Sequence, residues 1–308
     1  MIVTIGYLAA MQRLLVPALP VPPAEGTMGN LERPFITADA ALVGLGLSAQ
    51  GIDCVGVYNH PGRSVLALMA RELVAQSVRS VLWGAHSGEI FELQIIAENG
   101  QIQWFADGHN GLRSLRQVDW SSLPEKASVI YLDLYPWIEE CMYEILPAKL
   151  KGMMFLNCGD SETERLTSIV QRWRDRFSNP IFIQVSSKGD FLSECDAAKF
   201  AQRLVRQGAE GAIVTRAELG IVVAVGGQCI ARPALPVPDF RDATGAGAAI
   251  STAICAFLHR QRVAVSAENL AHLALTAGAS QCGLSGPLDA VSKDKWEKLL
   301  AAHQVLPV

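Results

Sequence analysis

The residues best placed to do chemistry are Asp242-Ala243-Thr244-Gly245-Ala246-Gly247-Ala248. Pro233, Pro236 and Pro238 come before them, in what reads as extended chain. Ile250 to His259 follows, rich in alanine and without glycine or proline. Extended chain, glycine turn and helix, in that order, aim free N–H groups and the positive end of a helix dipole at one point. Gly245 and Gly247 let the backbone bend and let another group come close. Such a turn holds a phosphate or a developing anion. The plainer reading of the same residues is a glycine turn before a buried helix.

The remaining candidates are single residues. Asp133 and Asp160 follow predicted strand ends, where α/β proteins bind ligands, and each serves equally well as a helix cap or a surface residue. Arg216 can pair with a nucleotide phosphate or sit solvated in its loop. His259 lies well along the helix from Ala248, roughly 16 Å at helical rise, too far to act at the turn. Gly44-Leu-Gly46-Leu-Ser-Ala49 spells a dinucleotide fingerprint, but its glycines fall inside helical sequence and not in a strand-to-helix turn. Close helix–sheet packing explains them better. Seven cysteines and six histidines are scattered without metal-ligand spacing. The cysteines read as reduced, mostly buried thiols of a cytoplasmic protein.

The elements that must position these residues alternate. Strands are predicted at 2–5, 52–57, 80–83, 129–133, 152–157, 179–185 and 211–215. Helices are predicted at 38–50, 64–76, 136–145, 161–177 (capped by Asp160 or Ser161), 193–207, 266–279 and 289–302. Gly226-Gly227 turns a hairpin that begins at Gly220. This pattern argues for an α/β fold with a mostly parallel central sheet and helices on both faces. Two stretches break it. Leu14 to Pro23, with four prolines, suits extended edge chain. Glu89 to Ala106 alternates around Asn99-Gly100, a strong hairpin turn. The two are expected to form a small β lid, from about residues 7–35 and 84–115, on a single domain spanning 1–308.

The chain has 308 residues, half of them hydrophobic and 18% charged, enough for a full core. A net charge of −4 gives no sign of nucleic-acid or anionic-membrane binding. No apolar run approaches membrane-spanning length, and the apolar start Met-Ile-Val-Thr-Ile-Gly lacks a basic flank and reads as a strand.

Asp242-Ala-Thr-Gly-Ala-Gly247 resembles the C-terminal signature of the PfkB (ribokinase-like) carbohydrate kinases, normally Asp-Thr-Thr-Gly-Ala-Gly-Asp. The order of elements is similar along nearly the whole chain, although only this signature is specific. The resemblance implies an anion hole at Gly245, Ala246 and Gly247, and nucleotide contacts at Thr215, Arg216, Gly220, Asp242 and Thr244. It also implies ATP and Mg²⁺ as cofactors and a small-molecule ligand. The Asp that ends the signature is the family's general base, and here Ala248 stands in its place. The family's other working positions differ too. Ala9, Ala10 and Met11 replace a sugar-binding Asp stretch. Thr37-Ala38 and Leu42 replace a Gly-Gly loop and its Asn. Ser186 to Asp190 replaces an Asn-x-x-Glu motif, with Asp190 able to hold a cation through water. Thr215-Arg-Ala217-Glu-Leu-Gly220 replaces a Thr-x-Gly-x-x-Gly motif.

The expectation is a homologue that binds nucleotide or phosphate with phosphotransfer weakened or lost. Two alternatives are an active kinase of a sugar, nucleoside or other small alcohol using another base, and an anion site turned to different chemistry. By analogy with the family, a homodimer through the lid hairpin would use Ile90, Leu93, Ile95 and Ile96.

Overall fold

The computed structural model describes residues 1–19, 29–31, 35–85, 89–98, 102–160, 163–187, 193–260 and 265–284. In chain order the elements are β1 (Ile2–Gly6), β2 (Ala9–Val16), β3 (Asn30–Leu31), β4 (Phe35–Thr37), α1 (Asp39–Ala49), β5 (Cys54–Tyr58), α2 (Val65–Ser77), β6 (Ser80–Trp83), β7 (Phe91–Ala97) and β8 (Ile102–Asp107). Then come β9 (Lys126–Asp133), α3 (Pro136–Ile145), β10 (Lys151–Asp160), α4 (Thr163–Phe177), β11 (Ile181–Ser186), α5 (Glu194–Arg206), β12 (Gly211–Thr215), β13 (Ile221–Val225), β14 (Gln228–Arg232), α6 (Ala246–Arg260) and α7 (Ala267–Cys282). The Asn99-Gly100 turn, the 161 cap, Asp190 and the helix expected at 289–302 lie outside the described residues.

The main sheet has nine strands in the order β14-β13-β12-β11-β10-β9-β1-β5-β6. From β12 to β6 every pairing is parallel, and β13 and β14 close one edge antiparallel. The strands are apolar on both faces because helices cover both. Alternation sorts them: Val3, Ile5, Ile130 and Leu132 join one core with α4 and α5, while Ile2, Val129, Tyr131 and Phe155 join the other with α1, α6 and α7. The order reverses between β1 and β9, the point at which open α/β sheets bind ligands beyond their carboxyl ends.

The helices follow from their sequences. Leu166, Ile169, Val170, Trp173 and Phe177 form the apolar stripe that seats α4. Ser64 caps α2, accepting from the Ala67 amide at 3.1 Å. The fingerprint-like glycines lie inside buried α1, where a Cβ at Gly44 would meet the Tyr58 hydroxyl at 2.5 Å. Gly44 thus serves close packing, as the sequence suggests. Among the cysteines, Cys54, Cys158 and Cys255 are buried, Cys195 is exposed and the other three are intermediate; none is bonded to another.

The second sheet runs β3-β2-β7-β8, with β4 also on β2. Two expectations change here. The strand expected at 14–23 is β2 at Ala9–Val16, and it is central in its sheet, between β3 and β4 on one side and β7 on the other. The prolines follow it instead of forming it. Second, Ile90, Leu93, Ile95 and Ile96 do not share a face. Ile90 is buried ahead of β7, and the two-residue period puts Ile96 opposite Leu93 and Ile95.

Candidate functional site

Three buried polar residues lie side by side at the carboxyl ends of β9, β10 and β11. Asp133 is in register with Asn157, and Asn157 with Gln184. Neighbours in register point to the same face, so the three form one row. The row supports two helix N-termini. Asp133 accepts the Ala40 amide in the first turn of α1 at 3.1 Å and the Tyr131 hydroxyl at 2.9 Å. Gln184 donates to the Gly247 carbonyl in the first turn of α6 at 3.1 Å and accepts from Ser251 at 3.0 Å. Between them, Asn157 donates to Asp39 at 2.7 Å and to the Tyr131 hydroxyl at 2.8 Å. Tyr135 also donates to Asp39, at 2.6 Å. Burial first, and the nearby negative charge of Asp39 second, push the Asp133 carboxyl well above the usual carboxylate range. Burial likewise raises the Tyr131 and Tyr135 phenols.

The glycine turn sits at the α6 end of this row. Gly245 has φ 85°, a left-handed conformation that suits glycine. The Ala246 amide turns inward onto the Ala243 carbonyl at 3.1 Å, so it is not an open donor. Among the described residues, no backbone acceptor faces the amides of Gly247 and Ala248. Gly247 needs neither positive φ nor space for packing, since a Cβ there would meet only Gln184 Nε2, at 3.8 Å. What glycine provides at this position is open approach to the amides. The Ala248 side chain is 3% exposed and can take no proton.

The turn is held from two sides. The Arg241 and Asp242 amides donate to the Cys282 carbonyl at the end of α7, at 2.9 and 3.2 Å, and Gln281 donates to the Thr244 carbonyl at 3.1 Å. From the lid, Arg13 pairs with Asp242 at 2.6 Å, donates to the Thr244 hydroxyl and donates to Gln94 at 2.6 Å. Asp242 also accepts the Thr244 amide at 2.9 Å. Asp242 and Thr244, read from the sequence as nucleotide contacts, are thus engaged with the lid. The inner lid face continues with Glu92, which accepts from Tyr7 at 3.0 Å and from Trp104 at 3.1 Å.

One strand beyond β11, the loop after β12 carries Arg216. It is 7% exposed, and among the described residues no hydrogen bond or ion pair reaches its Nε. Its amide donates to the Gly220 carbonyl at 2.8 Å. Gly220 has φ 100°, and a Cβ there would collide with the Arg232 carbonyl. Thr215 donates weakly to the Val185 carbonyl, at 3.4 Å. Ala217, where the motif lacks its glycine, has φ 49°, and Ala38, in the Gly-Gly position, has φ 87°. Both alanines hold a positive φ, which glycine adopts more freely.

Of the sequence candidates, the fold brings together Gly245, Gly247, Asp242, Thr244 and Asp133, with Thr215, Arg216 and Gly220 a strand away. His259 lies at the opposite end of α6, 2.6 Å from Ser128. Asp160 ends β10, and its side chain is outside the described residues. Among the described residues no group of three His, Cys, Asp or Glu side chains could hold a metal ion. Arg13, Asp39, Asn157 and Gln184 were missed. The polar alternation Glu92, Gln94 in β7 is the one local signal that pointed at the inner lid face. No helix among the described residues is long and apolar enough to cross a membrane.

No family model and no curated protein matches the chain. Solved structures do. Ribokinase from Thermotoga maritima is 15% identical, with 97% of this chain and 99% of that one covered at a TM-score of 0.71. Phosphofructokinase-2 from Escherichia coli in complex with fructose-6-phosphate is 16% identical, with 98% and 97% covered at 0.69. The nucleoside kinase of Methanocaldococcus jannaschii, an archaeal member of the ribokinase family, is 13% identical, with 98% of each chain covered at 0.68. From one end to the other, the chain has the ribokinase-like fold.

Proposed function

We propose that this protein is a PfkB-type carbohydrate kinase homologue that binds the phosphates of ATP at the α6 turn, with phosphoryl transfer through position 248 disabled. The observation that carries this reading is the buried Nε of Arg216, which no hydrogen bond reaches among the described residues, one strand from the open amides of Gly247 and Ala248. A buried donor left without a partner is costly, and a bound phosphate oxygen removes that cost. The amides would take the transferred phosphoryl group and Arg216 another part of the nucleotide's phosphate chain. Mg²⁺ bound with the nucleotide would neutralise phosphate charge. Among the changed positions, Ala248 removes the proton acceptor, a role worth about 10²–10⁴-fold in rate.

Calorimetric titration of MgATP into the wild type and Ala248→Asp tests the reading. Binding to both is expected, with ATP turnover in the presence of ribose, fructose or adenosine rising in Ala248→Asp. Absence of binding to both overturns it. Binding of inorganic phosphate but not ATP would favour an anion site put to other chemistry.

A further inference from the structure

The site contains a half-buried carboxylate at the first residue of α1. We infer that Asp39 is the proton acceptor that stands in for the missing carboxylate at position 248, so that phosphoryl transfer to a small alcohol persists. The inference rests on the nucleotide-binding reading above.

The geometry runs through the polar row. Asp39 is held by Asn157, and the Gly247 carbonyl by Gln184, and these two holders are register partners on adjacent strands. Adjacent strands are about 4.8 Å apart, so the Asp39 carboxylate faces the α6 turn across roughly 5–10 Å. That gap suits a substrate hydroxyl beside a phosphoryl group, each at hydrogen-bond reach of its protein partner. The helices α1 and α6 pack against each other, and both begin at the carboxyl end of the sheet. Asp39 is the first residue of α1, and Ala248 lies in the first turn of α6.

Other groups fail the same test. Asp133 is fully buried and spends its oxygens on Ala40 and Tyr131. Asp242 is ion-paired with Arg13, and Glu92 is buried at 1% exposure. Asp39 is half-buried, and Tyr135 and Asn157 hold its carboxylate in one orientation. In the step, Asp39 takes the proton of the substrate hydroxyl. The hydroxyl oxygen forms a bond to the γ-phosphorus, the bond from that phosphorus to the β–γ bridging oxygen breaks, and ADP leaves with the electron pair. The carboxylic acid then releases its proton to solvent.

The experiment measures MgATP affinity by calorimetry and ATP consumption with ribose, fructose, adenosine or water as acceptor. The proteins compared are wild type, Asp39→Asn, Asp39→Ser, Ala248→Asp and the double variant Asp39→Asn/Ala248→Asp. Either Asp39 variant is expected to lower kcat by about 100-fold or more while MgATP affinity stays within about twofold. Ala248→Asp is expected to restore at least about tenfold of what Asp39→Asn loses and to gain clearly less on the wild-type background, whereas with a merely structural Asp39 it would gain equally on both. Three results overturn the inference alone: a wild type that binds MgATP but consumes none with any acceptor, Asp39 variants as active as wild type, or no recovery in the double variant. A wild type that does not bind MgATP removes the nucleotide reading, and this inference with it.

Discussion

At Ala38 the backbone has φ 87° and ψ 117°, a region that glycine enters freely and alanine does not. Strain of this kind costs about 1–3 kcal/mol, partly offset by the extra freedom a glycine loses on folding. Ala38→Gly should therefore stabilise the protein by about 1 kcal/mol, read as a higher midpoint in urea unfolding. Asp133 makes a pH-dependent prediction. Its folded-state pKa lies well above the ordinary 3.8, so folding takes up a proton between those two values. Stability is therefore lost as pH rises through that window, because the unfolded chain binds fewer protons there. Asp133→Asn removes the titration. Its unfolding midpoint, compared with wild type, should improve steadily as pH rises above about 4. A constant difference across that range would show that Asp133 does not titrate in it.

At the scale of elements, Arg13 joins the second sheet to the α6 turn. Arg13 comes from the middle of β2 and reaches Asp242 and Thr244 in the turn while bonded to Gln94 on β7. Removing one partner of a buried pair leaves the other charge uncompensated, at a cost of about 3–5 kcal/mol. Arg13→Ala should accordingly speed amide hydrogen exchange in β2 and β7 well above wild type, with β9 to β12 unchanged. Uniform acceleration through the main sheet would instead mean that Arg13 supports the whole fold. A second constraint lies where β1 meets α1: a Cβ at Gly6 would collide with the Asp133 carboxylate and with the Ala40 Cβ. The glycine that ends β1 is what lets the helix start lie close over the polar row.

Across the whole molecule, the sequence by itself determined the layered α/β fold, the small second sheet and the glycine turn. These are local properties. Apolar runs broken by helical periods, an Asn-Gly between alternating strands and Gly-x-Gly before an alanine-rich stretch each act within a dozen residues. Placing β2 failed because prolines mark where strands end as readily as where edges run. The apolar hairpin face failed because Ile90 precedes the strand and Ile96 falls on its other side. Only the tertiary structure decided the site. Asp133, Asn157 and Gln184 become one row because β9, β10 and β11 pair in register. Asp39 and the α6 turn come to the same end of the sheet because α1 and α6 both start there. Arg13 and Asp242 are far apart in sequence, and no periodicity links them. Strand register and chain crossing bring such residues together, and both are set by burying the two apolar faces of the sheet, a property of the whole chain.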